Sequence, residues 1–382
     1  MRMLPALGAA GAMTLLLTGC AGAATGADQA GDRLEIVATT TQLADVTREL
    51  VGDAAEVTSL LQPGASAHAF DPGPAALTAL ADADLLVING AGLETWLDGT
   101  VEASGFDGTV VDTSSALELI PAEDDPHEGH DHGAEAGHEG ETAEEHAVHE
   151  DHDHSAEPGH EGESAEEHAE HAENAEHAEH AGEETAGHEG HDHGAFDPHV
   201  WTDPANVILQ AEAIVDAVTA ADPDADIDAS ATAYLERLSA LDDWMRASIE
   251  QVPVDERLVV TTHDTFGYLE RAYDVQVVGT VLPSLDDAAG ASAAHIDELV
   301  AEIRATGTPV VFSENAIDPQ LAATIAREAG VELRQGEDAL AADALGPEGS
   351  DTGTYIGSQI HNTTAIVTAW GAEPLAVPES LS

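Results

Sequence analysis

Short apolar runs and longer amphipathic stretches alternate along most of this chain. The short runs predict strands, and the stretches with apolar residues three or four positions apart predict helices. The predicted strands are Leu34–Thr40, Glu56–Leu61, Leu85–Asn89, Thr109–Asp112, Arg257–Thr261, Val275–Val278, Pro309–Ser313 and Val331–Arg334. The predicted helices are Thr41–Leu50, Ala75–Ala83, Asn206–Ala220, Ala225–Gln251, Phe266–Tyr273, Ala293–Ala305, Pro319–Ala329 and Asn362–Trp370. Alternation of the two element types predicts an α/β protein with parallel sheets.

The longest predicted helix, Ala225–Gln251, separates two series of alternating elements. Its apolar stripe suits ordinary core packing, and its length also suits a connector. The helix is therefore a candidate connector between two α/β lobes, residues 33–224 and 252–382. Two similar halves imply a cleft, and loops at the carboxyl ends of strands are where α/β sheets bind ligands.

The periodic pattern stops in an insert at residues 122–195, which is rich in His, Asp, Glu, Gly and Ala. Residues 123–194 hold sixteen of the 21 histidines and no Arg or Lys. Such a tract buries too little apolar surface to offset the entropy of ordering, so we expect disorder. Weak, multiple metal binding is the favoured interpretation, and a solvated acidic linker is the alternative. The auxiliary metal candidates are His127, His130, His132, His152, His154, His188, His191 and His193.

The formal charge of −65 comes from 75 acidic residues against ten basic ones, all of them Arg. A chain without a basic face has nothing with which to displace the counterions of a phosphate backbone, so nucleic acid is excluded as a partner. The lack of Lys excludes a P-loop and a Schiff base. Cations are the natural partners of this composition.

The first 20 residues resemble a bacterial lipoprotein signal. A short basic start precedes Leu4–Leu17, an apolar run too short for a typical membrane span, and Leu17-Thr18-Gly19-Cys20 follows. The resemblance implies cleavage before Cys20, its lipidation, and a flexible tether at residues 21–32. The protein would then be extracytoplasmic and lipid-anchored to the outer face of the bacterial cell membrane. An ordinary secretory signal with an incidental cysteine is the alternative.

Four side chains at predicted loop ends are candidates for metal binding: His68, His199, His263 and Asp343. His199 lies between two Asp-Pro steps, Asp197-Pro198 and Asp203-Pro204. Because proline fixes φ and disfavours helix in the residue before it, we expect a stiff, irregular turn that holds His199 in place. The spacing of the four residues matches no short metal motif, so spacing alone is weak evidence.

The segments Asp197–Trp201 and His263–Tyr268, with His68–Pro74, resemble the zinc and manganese ABC-transporter solute-binding lipoproteins. This resemblance implies two Rossmann-like α/β lobes joined by a single long rigid helix, with a metal bound in the cleft between them. It assigns the metal ligands to His68, His199, His263 and Asp343. Glu314 would be a hydrogen-bond acceptor that orients a ligand or, less favoured, an alternative carboxylate ligand.

The resemblance further implies that the protein captures Zn²⁺ and delivers it to a membrane permease. Three imidazoles and one carboxylate suit zinc, as does the histidine tract, while Mn²⁺ stays open as the transported ion. A surface metal buffer or adhesin is the competing function. An enzyme is disfavoured, because His-Glu-x-x-His and Gly-x-Ser-x-Gly are absent and four protein ligands leave no position for an activated water.

Overall fold

The computed structural model describes residues 33–68, 70–122, 195–283 and 291–381, all of which belong to one unit. Several sequence predictions lie outside these residues. They are the lipoprotein signal with Cys20, the tether at 21–32, and the eight auxiliary histidines from His127 to His193.

The first sheet contains four parallel strands in the order β2-β1-β3-β4. The strands are β1 Leu34–Ala38, β2 Ala55–Ser59, β3 Leu85–Ile88 and β4 Thr109–Asp112. In the register, Leu34 of β1 lies opposite Ala55, and Ile36 lies opposite Leu85. The two central strands are nearly continuous apolar runs, as expected of parallel strands covered on both faces.

Four helices accompany this sheet. They are α1 Thr41–Val51, α2 Pro74–Ala81, α3 Leu97–Ser104 and α4 Pro204–Ala221. The α1 helix begins where the Thr40 hydroxyl accepts the Leu43 N–H, and the α4 helix begins at the Asp203 cap with Pro204 in its first turn. The sequence pattern missed α3, because only Leu97 and Thr100 of this short helix are buried.

Two two-stranded parallel sheets follow later in the chain. They consist of β5 Leu258–Thr261 with β6 Gln276–Thr280, and of β7 Val310–Phe312 with β8 Glu332–Arg334. The β5 strand packs beside β7. Their helices are α6 Gly267–Tyr273, α7 Ala293–Thr306, α8 Gln320–Ala329 and α9 Tyr355–Ala369. The α9 helix begins seven residues before its predicted start, at the Thr354 cap, because Gly357 and the polar residues after it obscure the periodicity.

The helix predicted between the two series is α5, Asp228–Ile249, of 22 residues. It packs against α1 and α4 from the first series and against α9 from the second. Its buried face includes Tyr234, Leu238 and Trp244. These contacts suit both core packing and a connector, so the division into two lobes stays a prediction.

The α/β fold and all eight predicted strands are confirmed, with strand ends within two residues of the prediction. The carboxyl ends of β2, β5 and β8 lead into the loops that hold three of the four candidate ligands. Within the described ranges, no helix is both long enough and apolar enough to cross a bilayer.

Candidate metal centre

The four candidate ligands, far apart in the sequence, converge at one point. One ligand atom from each of His68, His199, His263 and Asp343 lies within 4.8 Å of the others. His199 and His263 are fully buried, Asp343 is 1% exposed, and His68 is 14% exposed. The arrangement is therefore a buried cluster that solvent reaches on the His68 side.

His199 is held by the turn that the two Asp-Pro steps predict. Its ring Nδ1 lies 2.7 Å from Asp197 Oδ1, which also accepts the His199 backbone N–H at 2.9 Å. With Nδ1 engaged by a carboxylate, Nε2 is directed into the cluster, 3.0 Å from His68 Nε2. A carboxylate on the far nitrogen is the usual way in which proteins orient a metal-ligating imidazole.

His263 follows β5 directly and has the same kind of partner. Its Nδ1 lies 2.6 Å from Glu314 Oε2, while Glu314 Oε1 accepts the backbone N–H groups of Thr262 and His263 at 2.8 and 3.0 Å. Glu314, 3% exposed, thus contacts the side of the imidazole away from the cluster. This position is the one expected of an acceptor that orients His263, and the role of Glu314 stays a prediction.

Asp343 lies in the loop after β8. Its Oδ1 is 3.2 Å from His263 Nε2 and 3.8 Å from His199 Nε2, yet no donor approaches this buried oxygen in hydrogen-bond geometry. Its Oδ2 accepts the Ser66 hydroxyl at 3.1 Å. A buried carboxylate oxygen without a hydrogen bond is costly unless a cation satisfies it.

The charges of this cluster are coupled. Burial lowers the pKa of His263, but the Glu314 and Asp343 carboxylates outweigh it and leave this pKa well above its ordinary value. Burial raises the pKa of Asp343, and the three imidazoles, His263 first, bring it below its ordinary value. The two carboxylates thus favour positive charge at His263. A divalent cation bound by the cluster would supply that charge, since a ligating imidazole must be neutral.

The donor set fits a tetrahedral ion. Zinc–nitrogen bonds of about 2.1 Å require ligand atoms about 3.4 Å apart, close to the shorter separations in the cluster. The separation between His68 Nε2 and Asp343 Oδ2 is larger, 4.0 Å, and lies on the more exposed side. Three imidazole nitrogens and one carboxylate oxygen can thus hold one divalent cation.

Apart from Glu314, the residues that support the ligands are not apparent from the sequence. Asp197, two positions before His199, is predicted from the sequence only as part of a turn. Ser66, Gln42 and Trp201 reach Asp343 or its loop across 277, 300 and 141 positions of sequence. The Asp-x-His spacing of Asp197 and His199 was a usable signal for the first, whereas no local pattern marks the others.

Comparison with known proteins decides the family. The sequence matches, over residues 36–369, the family described as zinc-uptake complex component A, periplasmic. The chain belongs to this family. Members of the zinc-uptake component A family are solute-binding proteins of metal ABC transporters, so this protein binds metal for a membrane permease and is not an enzyme.

The relatives are named for different metals. The chain is 26% identical to the manganese-binding lipoprotein MntA of Halalkalibacterium halodurans over 93% of this chain and 94% of that protein. It is 32% identical to the high-affinity zinc uptake protein ZnuA of Brucella abortus over 85% and 88% of the two chains. The solved periplasmic zinc-binding protein TroA of Treponema pallidum has the same fold, with a TM-score of 0.63 at 22% identity over 88% of this chain and 98% of that one.

Proposed function

We propose that this protein is the extracytoplasmic zinc-binding component of a metal-uptake ABC transporter. His68, His199, His263 and Asp343 bind the ion, and the protein delivers it to the permease. The observation that carries this proposal is the convergence of three imidazoles on the buried Asp343 carboxylate, one oxygen of which has no hydrogen bond. Such a cluster is electrostatically incomplete until a cation occupies it.

Zinc is the proposed ion because of the donor set. Imidazole nitrogen is a borderline ligand that zinc favours, whereas Mn²⁺ is better served by carboxylate, carbonyl and water oxygens and by more than four ligands. The Nδ1 atoms of His199 and His263 are also held by carboxylates, which increases the basicity of the ligating nitrogens. Manganese is the second candidate, favoured by the name of the MntA relative.

The two-lobe arrangement is part of the proposal. His68 and His199 precede α5, and His263 and Asp343 follow it, so the ion would link two α/β lobes, residues 33–224 and 252–382, across a cleft. The α5 helix would be their rigid connector. Separation of the two ligand pairs would release the ion to the permease.

Two further parts of the proposed function, the membrane anchor and the role of the histidine-rich insert, rest on the sequence. The lipoprotein-like segment supports cleavage before Cys20 and an anchor on the outer face of the membrane, consistent with the lipoprotein names of relatives. The histidine-rich insert, with sixteen histidines, would collect zinc for the site. Its imidazoles would bind zinc more weakly than the buried cluster.

The test is zinc titration of the protein from Ala21 onwards, compared with His199→Ala and with a deletion of residues 123–194. We expect one tight site that survives the deletion and is lost in His199→Ala, with additional weak sites only where the insert is present. Competition between Zn²⁺ and Mn²⁺ for the tight site identifies the ion. Tight binding that vanishes with the insert and ignores His199 would instead indicate a histidine-rich metal buffer.

A further inference from the structure

The segment that carries His199 is tied to neighbouring backbone at its start. Residues 120–122 and 195–197 form a short antiparallel stem, in which the Asp197 N–H donates to Ile120 O at 2.8 Å and the Ala122 N–H donates to Ala195 O at 3.1 Å. Asp197 is both the last residue of this stem and the acceptor that holds the His199 ring. Its position is therefore set by what the stem packs against.

The stem packs against α6, the helix that begins just after the His263 loop. The fully buried Tyr268 donates its hydroxyl proton to Asp197 O at 2.9 Å and accepts the Ile120 N–H at 3.1 Å, so that one oxygen bridges both sides of the stem. Arg271 lies over the Tyr268 ring at 4.8 Å and donates to Glu118 O at 2.9 Å. These contacts join the backbone before His199 to the helix after His263.

Gly267 provides the space for this contact. A Cβ atom at Gly267 would lie 2.6 Å from Asp197 Oδ2, closer than van der Waals contact allows. No strained backbone angle demands glycine at this position. The Asp197 carboxylate therefore occupies the place that a larger side chain at residue 267 would fill.

We propose that Tyr268 and Gly267 are positioning residues for the metal site. They hold Asp197 at the spacing that directs His199 Nε2 towards His263, whose ring centroid lies 5.3 Å from that of His199. The α6 helix thus sets the distance between two ligand segments before the metal arrives. This inference rests on the proposed metal site.

The experiment measures zinc affinity of the full mature chain by competition with a tight chelator, so that weak sites do not contribute. Loss of a partner that orients a ligand usually weakens metal binding about 10- to 100-fold. We expect a loss of that size in Asp197→Ala. In Tyr268→Phe and Gly267→Ala, which disturb the position of this carboxylate but do not remove it, we expect a loss of about three- to tenfold, the size of one hydrogen bond. The double variant Tyr268→Phe/Asp197→Ala should bind like Asp197→Ala alone, because there is no carboxylate left to position.

Tyr273→Phe is the matched control, since Tyr273 is a buried tyrosine of the same helix whose hydroxyl contacts Asp242 at 2.7 Å. It should bind zinc like the unmodified protein. Gly267→Ala tests the contact from the other side, because the added Cβ would displace the Asp197 carboxylate. The unfolding midpoint of each metal-free variant is measured as well, so that affinities are compared only among variants that are fully folded at the assay temperature.

Two outcomes would overturn the inference alone: Tyr268→Phe binding zinc as tightly as Tyr273→Phe, or additive losses in the double variant. Either result counts against the inference only if the unmodified protein binds zinc tightly and His199→Ala does not. If the unmodified protein held no tight zinc, the proposed function would fail and this inference with it.

Discussion

Two imidazoles of the candidate site have a carboxylate on the nitrogen that faces away from the cluster. Asp197 is two positions from His199, whereas Glu314 is 51 positions from His263. In both pairs the same carboxylate also accepts the backbone N–H of the histidine. Each acceptor thus fixes both the ring and the main chain of its ligand, which leaves little freedom for the Nε2 atom.

The first prediction concerns Glu314→Gln. The amide keeps an oxygen for the backbone N–H groups but replaces the charged acceptor of the His263 Nδ1 proton. We expect zinc affinity to fall about 10- to 100-fold, as when other such acceptors are removed. Competition with a chelator measures the zinc affinity, and Glu302→Gln on the exposed face of α7 is the control. Equal affinity of these two variants would contradict an orienting role for Glu314.

At the scale of elements, the loop of Asp343 is held by residues from before and after α5. The Ala342 carbonyl accepts the Gln42 side-chain amide at 3.1 Å and the Trp201 indole N–H at 2.9 Å, and Asn362 of α9 pairs with both backbone groups of Ala341. The carboxylate of Asp343 is therefore presented by a loop whose backbone is already hydrogen-bonded. Fixing this loop reduces the entropy lost when the ion binds.

The second prediction concerns Trp201→Phe, which removes the bond to Ala342 O and keeps an aromatic ring beside His199. One hydrogen bond contributes about 1 kcal/mol, so zinc should dissociate roughly fivefold faster. Stopped-flow mixing of the zinc-loaded protein with excess chelator measures the rate. Trp244→Phe is the control, because the Trp244 indole donates to Leu375 O and not to the Asp343 loop. A Trp201→Phe rate equal to that of the control would refute this role.

A second contact joins α1 to the start of α9. Asp45 Oδ2 accepts the Tyr355 N–H at 2.7 Å. Burial raises the pKa of Asp45, the Tyr355 N–H opposes it, and the net result is a pKa of about 6. The folded state therefore holds a proton on Asp45 more tightly than the unfolded state does. Its contribution to stability is fully present below about pH 4 and is lost as the pH rises through about 6, by at most about 3 kcal/mol.

The third prediction follows from the loss of the Asp45 contribution to stability as the pH rises. Asp45→Asn keeps an oxygen for the Tyr355 N–H and has no charge to bury at neutral pH. Relative to the unmodified protein, its free energy of unfolding should increase between pH 4.5 and pH 7.5. Urea unfolding in the presence of a chelator measures this difference, with Asp216→Asn on the exposed face of α4 as the control. A difference that does not change with pH would show that Asp45 is not buried in charged form.

At the scale of the whole molecule, the ligand set joins parts of the chain that α5 separates. An ion bound by His68, His199, His263 and Asp343 would bind the folded state and not the unfolded one, whose ligands lie 131, 64 and 80 positions apart. Binding is then linked to folding of the whole unit.

The fourth prediction is that zinc stabilises the protein. At free zinc 100-fold above Kd, the free energy of unfolding should rise by about 2.7 kcal/mol, and EDTA should reverse the change. Thermal unfolding of the insert-deleted protein isolates the effect of the buried site. In His199→Ala the zinc-dependent shift should disappear. A shift of the same size in His199→Ala would place the stabilising zinc elsewhere in the chain.

Much of the architecture could be predicted because strands and helices leave local periodic signals. Strand β4 was predicted to the residue, and the Asp-Pro step at Asp203-Pro204 coincides with the cap and first turn of α4. The errors have local causes as well: α3 buries too few side chains to show a period, and Gly357 hides the first turns of α9. Which elements pack together required the structure.

The sequence by itself determined the α/β class, the order of the strands, the acidic and cation-seeking composition, and the histidines whose flanking motifs indicate the family. These properties are encoded locally or in overall composition. Only the tertiary structure decided that Glu314 faces His263 from outside the cluster, that Asp343 presents an oxygen without a hydrogen bond, and that Tyr268 bridges the stem before His199. Such contacts join residues tens to hundreds of positions apart, and they exist only once the sheets and helices have packed.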